Sequence, residues 1–90
     1  MHKIRNSHRY RYVFRPAVIE RDNHTCQECY KDETEVLLEV HHIENVIDYP
    51  ELIMDVDNGI TLCQKCHWGI RGKEHLYIER FKEKLKNILL

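Results

Sequence analysis

Ninety residues form one small domain, and by area scaling such a chain buries only roughly 60–65% of its unfolded surface, so its thin core needs a staple. Its longest strictly aliphatic runs, such as Val36-Leu37-Leu38, fall far short of the ~20 residues of a membrane-spanning helix, which excludes a helical membrane protein. The net charge of -1 hides a segregation: residues 1–21 carry six basic and one acidic residue, 22–58 eleven acidic and one basic, and 59–90 seven basic and three acidic. Two basic ends around an acidic centre are either ordinary solvated surface or phosphate-contacting flanks of a metal-binding centre.

In chain order, the charged start from Met1 to Tyr12 never opens into the apolar stretch of a secretory signal, so a cytoplasmic location is expected. With no repeat, low-complexity segment or linker, residues 1–90 read as one domain: a basic arm over 1–15, a stapled core over 16–72 and an amphipathic C-terminal helix over 73–90. Tyr10, Tyr12 and Phe14 interleave with arginines in the arm. Pro16 suits a first helical position, and a short helix is predicted over 16–23. Cys26 to Cys29 form a tight turn that looks like a metal knuckle. The branched, partly alternating stretch from Glu35 to Ile43 predicts a strand. Residues 44–58 predict loop, with a helical turn around Pro50 to Met54 and a strong turn signal at Asp57-Asn58-Gly59. Ile60-Thr61-Leu62 predicts a second strand feeding a helix that starts within Cys63 to His67. From Glu74 onward, Tyr77 or Ile78, Phe81, Leu85 and Ile88 recur at helical spacing. That stripe is expected to pack on its own domain, although it would also suit a dimer seam.

Two Cys-x-x-Cys pairs, Cys26 with Cys29 and Cys63 with Cys66, offer four thiolates, the shell structural zinc prefers. The 33 residues between the pairs must form a folded unit rather than a plain hairpin. Two disulfides or unpaired core cysteines are the alternatives, and a reducing compartment favours the metal. Cys63-Gln64-Lys65-Cys66-His67 also fits a c-type haem attachment sequence, but haem would leave Cys26 and Cys29 without a purpose.

The histidines beside these cysteines carry a further pattern. The string from Leu38 to Ile43 with tandem His41-His42, followed by Asp57-Asn58-Gly59-Ile60-Thr61-Leu62-Cys63-Gln64-Lys65-Cys66-His67, closely resembles the HNH endonuclease family. The likeness covers roughly residues 14–72 and both cysteine pairs, and is to the small stand-alone HNH proteins of phages and bacteria. It implies an α+β fold: a small zinc-stapled ββα-metal, treble-clef-like domain with flanking helices, in which hairpin and helix wrap a catalytic metal. Residue by residue, it makes His42 the general base, His41 and His67 the ligands of a catalytic divalent ion (Mg2+, Mn2+, Ni2+ or Zn2+), and Asn58 the residue that braces the loop and orients the base. Cys26, Cys29, Cys63 and Cys66 become the ligands of a structural Zn2+.

Phosphodiester hydrolysis independently needs an activated water and a cation against the charge that builds on the phosphoryl group, and a histidine of unperturbed pKa ~6.5 suits proton removal near neutral pH. Each residue has a plainer reading. Tandem histidines on a strand point to opposite faces, Asn58-Gly59 is a common turn pair, and His67 could start a helix or be a spare zinc ligand. Only their joint arrangement points to a site. His2, His8, His24 and His75 lack such support. Asp55 to Gly59 suggests calcium only superficially, because the glycine comes one place early for an EF-hand loop. DNA contact is expected from Arg5, Arg9, Arg11, Arg15, Lys65, Arg71 and Lys73, with steep salt dependence. The resemblance is further compatible with a phage packaging or other targeting partner, in a bacterial or phage-infected cell, and with a monomer or a weak dimer through the C-terminal helix. The rival function is a non-catalytic zinc module that binds nucleic acid or protein on the same scaffold.

Overall fold

Tyr10, Phe14 and Val18 recur every four residues, so a helical backbone places all three on one face, and all three are buried. In the computed structural model, which describes residues 8–89, helical backbone accordingly begins before Pro16. A π-helical turn, Tyr10–Phe14, runs into helix α1, Arg15–Arg21. The helix predicted over 16–23 is thus extended backward by its apolar stripe. Pro16, which has no N–H to donate, follows directly on the widened turn in which the Arg15 N–H reaches the Tyr10 carbonyl. After α1, Asn23 (φ 57°) and His24 (φ 55°) adopt left-handed backbone and reverse the chain toward the first cysteine pair.

Strand β1, Leu38–His42, pairs antiparallel with β2, Gly59–Cys63, setting Leu38 opposite Cys63 and His42 opposite Gly59. The first strand is shorter than the predicted Glu35 to Ile43: the Ile43 amide and the Leu37 carbonyl still bond Asn58 and Gln64 across the hairpin, but the chain beyond them bonds elsewhere. The Glu35 and Val36 amides turn back onto the Asp32 carbonyl, and the side chain of Asn58 takes the Glu44 backbone. Between the strands, 3-10 turns at Pro50–Leu52 and Val56–Asn58 fall at the helical turn predicted around Pro50 and at the turn signal of Asp57-Asn58-Gly59. Asn58-Gly59 is not a left-handed turn pair: Gly59 is extended (φ -111°, ψ 146°). Glycine is needed there for close approach, since a Cβ would lie 2.8 Å from Val18 Cγ2 and 3.1 Å from Phe14 Cζ.

Helix α2, Gln64–Gly69, starts from Cys63, whose Sγ caps it by accepting the Cys66 N–H at 3.3 Å. A 3-10 turn at Glu74–Tyr77 leads into α3, Ile78–Leu89. Two apolar clusters sandwich the hairpin. On one side Tyr10, Phe14 and Val18 meet Val40; on the other, Phe81 and Leu85 of α3 join Ile43, Ile60, Leu62, Ile70, Cys26 and Cys63. The predicted stripe of the closing helix is therefore used within its own domain. The outer edge of β2 is covered: the Thr61 amide donates to Asp22 Oδ2 at 2.8 Å, and the Thr61 carbonyl accepts from the Gln27 amide. Arg21 grips Asp22 through Nε and Nη2 and reaches the carbonyls of Val56 and Gly59 at 2.7 Å, tying α1 to the start of β2. The result is a small mixed fold of helices and a two-stranded antiparallel sheet around a four-cysteine cluster. Among the described residues no helix is long and apolar enough to cross a membrane.

Candidate metal centre and active site

The first Cys-x-x-Cys lies in the turn after α1 and the second spans the end of β2 and the first turn of α2, so the hairpin brings together pairs far apart in sequence. The four Sγ atoms of Cys26, Cys29, Cys63 and Cys66 lie within 4.8 Å of one another. All four are free thiols, and the 3.8 Å between Cys29 Sγ and Cys63 Sγ is far beyond a disulfide bond. Backbone amides point at the sulfurs, from Glu28 and Cys29 to Cys26 Sγ at 3.4 and 3.5 Å. Burial pushes the Cys26 thiol up, but the amides of Cys29, Cys63 and Glu28 outweigh it and bring its pKa down to about 7. Burial, reinforced by the neighbouring sulfurs, pushes the Cys66 thiol well up. One thiolate forms readily and further ones are opposed, unless a divalent cation sits among them. The cysteines are thus positioned to hold a metal ion, and the donor set fits a closed zinc site. Convergence of both pairs also gives Cys26 and Cys29 the role that a haem reading denied them.

The histidines meet at a second place. Successive residues of β1 face opposite sides: Val40 and His42 turn toward α1, Glu39 and His41 toward α2 and α3. At the end of β1 a cavity of about 480 Å³ is lined by His41, His42 and His67 together, with carboxylates from Glu44, Asp48 and Glu74 and with His75, which the sequence pattern alone does not place in the site. His41 is buried, its ring centroid 5.2 Å from that of His67 and edge-on to Phe81, and its Nε2 has no hydrogen-bond partner. Burial lowers its pKa to about 4, aided by the charges of His67 and His42 and opposed by Glu74, so the ring is neutral near pH 7, the form that ligates metals. His67 Nδ1 bonds Glu39 Oε1 at 2.7 Å, which puts its hydrogen on Nδ1 and leaves Nε2 as the lone-pair nitrogen of the neutral ring. An orphaned buried imidazole nitrogen beside a second histidine fits a divalent metal. Among the described residues only the cysteines gather three or more metal-ligating atoms, so an ion on His41 and His67 would keep positions open for water and phosphate.

His42 stacks on Phe14 at 5.3 Å and 17°, and its Nε2 donates to the Ile53 carbonyl at 2.9 Å. The carbonyl fixes the tautomer, making Nδ1 the basic nitrogen of the neutral ring. Asn58 is buried, and its side chain bonds the chain after the histidines: Oδ1 accepts the Glu44 amide at 2.8 Å and Nδ2 donates to the Glu44 carbonyl at 3.2 Å, two residues beyond His42. Of the cations expected to meet DNA, Arg5 lies outside the described residues; Arg9, Arg11, Lys65, Arg71 and Lys73 are exposed and Arg15 is half-buried. None of the six lines the cavity. Sequence reasoning passed over Glu39, although its place two residues before His41 puts both on one strand face.

The comparisons with known proteins agree with this geometry. No curated protein and no solved structure matches the chain. The family model described as HNH endonuclease matches residues 26–70, a stretch that opens at Cys26 and holds both cysteine pairs, His41, His42, Asn58 and His67. With its four-cysteine cluster, its antiparallel hairpin and the cavity-lining His41, His42 and His67 inside that span, the chain belongs to the HNH endonuclease family.

Proposed function

We propose that the domain is a metal-dependent DNA endonuclease that hydrolyses phosphodiester bonds, with His42 as general base, His41 and His67 as ligands of one divalent ion, and a structural zinc in the cysteine centre. The observation behind this reading is the meeting of three differently prepared histidines on one cavity: His41 with an orphaned Nε2, His67 tied through Nδ1, and His42 tied through Nε2.

Each is prepared for its role. His42 Nδ1 takes a proton from the attacking water as the new P–O bond forms and the bond to the leaving alkoxide breaks. The Ile53 carbonyl steadies the imidazolium produced, and the Phe14 ring holds its plane. A bound divalent ion supplies Lewis-acid charge against the phosphoryl oxygens and the leaving oxygen. Asp48 and Glu74 add negative charge to the cavity wall, while Glu44 is paired with Lys82 at 2.6 Å, so a bound cation favours entry of the diester. Asn58 keeps the chain after His42 in place by holding both backbone groups of Glu44. Exposed Arg9, Arg11, Lys65, Arg71 and Lys73 supply phosphate contacts outside the cavity, so binding weakens steeply with salt.

A supercoiled-plasmid assay on protein that keeps its one structural zinc but is dialysed free of other divalent ions, then given each ion in turn, tests the reading. Relaxed or linear DNA is expected only after Mg2+, Mn2+, Ni2+ or Zn2+ is returned. Bound but uncut DNA with every ion would instead identify a non-catalytic zinc module.

A further inference from the structure

Within the metal site just proposed, on which this inference rests, one of the two ligands is anchored and the anchor has no assigned role. Glu39 and His41 are two residues apart on β1 and face the same side of the hairpin, toward α2. Glu39 Oε1 lies 2.7 Å from His67 Nδ1, and both side chains are about seven-tenths buried, with 29% and 31% exposure. The carboxylate is carried by a strand whose backbone is fixed by pairing with Leu62, so the anchor sits on a rigid element while His67 comes from a helix of only six residues.

We propose that Glu39 is the positioning residue of the histidine metal site. By accepting the Nδ1 hydrogen it selects the His67 tautomer with the lone pair on Nε2 and fixes the ring beside His41. A single strand face thus delivers one ligand directly and orients the other. Carboxylates that orient ligating histidines in this way typically change metal affinity 10- to 100-fold when removed. An ion pair that merely decorated the surface would leave metal affinity alone.

The test is calorimetric titration of Ni2+ into protein already loaded with one zinc, with plasmid cleavage measured in parallel. Glu39→Ala should weaken Ni2+ binding about 10- to 100-fold while zinc content and thermal midpoint stay at wild-type values. Glu39→Gln, which keeps an oxygen at the same reach without the charge, should bind Ni2+ close to wild type. Glu39→Asp keeps the charge but shortens the reach and should behave like alanine, which also covers the case of an alanine variant that fails to fold. Unchanged Ni2+ affinity in Glu39→Ala and Glu39→Asp would overturn the proposal, as would a wild-type protein that takes up no ion beyond its zinc. Wild-type protein that binds Ni2+ in this Glu39-dependent way but cuts no DNA would leave the role of Glu39 standing and remove the nuclease reading.

Discussion

His41 and His42 are chemically identical neighbours in opposite surroundings, which suit them to the different tasks proposed for them. The strand pleat sends His41 toward Phe81 and His67, where burial keeps it neutral and leaves Nε2 unsatisfied, and sends His42 onto Phe14, with Nε2 tied to Ile53. Asn58 directs its side-chain hydrogen bonds to the Glu44 backbone, two residues beyond His42. Asn58→Ala removes both bonds to Glu44 and leaves part-buried backbone groups unpaired, which should cost about 1–3 kcal/mol in urea unfolding. Asn58→Asp should also destabilise, because its carboxylate cannot donate to the Glu44 carbonyl. Stability within about 0.5 kcal/mol of wild type for both variants would show that the brace carries no weight. The candidate histidines were legible in the sequence through their positions around the cysteines. Glu39 was not, because nothing local marks which glutamate on a strand will meet a helix 28 residues later.

At the scale of elements, the hairpin is held between α1 and α3, and the closest approach is at Gly59. Its sequence signal, Asp57-Asn58-Gly59, marks the right place for a chain reversal, but the glycine is extended and exists to admit Val18 and Phe14. Gly59→Ala should therefore destabilise by about 1–3 kcal/mol through overpacking rather than backbone strain. Pairing it with Val18→Ala should recover part of that loss, as a double-mutant cycle in denaturant would measure. Strictly additive effects would rule out the contact as the cause. The backward extension of α1 was legible in the four-residue spacing of Tyr10, Phe14 and Val18, though Pro16 and the surrounding arginines obscured it. The amphipathic closing helix was plain because its period is sustained over three turns.

For the whole molecule, the cysteine centre joins the turn after α1 to the end of β2 and the start of α2. Cys26 and Cys63 belong to the main core cluster with Phe81 and Leu85, so a metal ion on the four sulfurs ties the first turn, the hairpin and α2 into the core. In a core this small, the binding free energy of a structural zinc is folding free energy. Chelator-stripped protein should lose its cooperative thermal transition and recover it when zinc is returned, and Cys26→Ser should lose it at any zinc concentration. Circular dichroism checks both, and an apo protein melting at the zinc-loaded midpoint would contradict the stapled-core account. The four-cysteine cluster was legible in the two Cys-x-x-Cys pairs. The cavity was not, because it is lined by residues from β1, the loop after it, α2 and the turn before α3, which only the folded chain brings together.

The nuclease reading rests most heavily on His42, so the decisive measurement is single-turnover cleavage by His42→Ala beside wild type, at saturating divalent metal, with DNA affinity and thermal midpoint measured on the same samples. Loss of general-base catalysis predicts a rate reduced by about 10²–10⁴-fold with the fold and DNA affinity retained. Cleavage at the wild-type rate by a folded His42→Ala protein would contradict it.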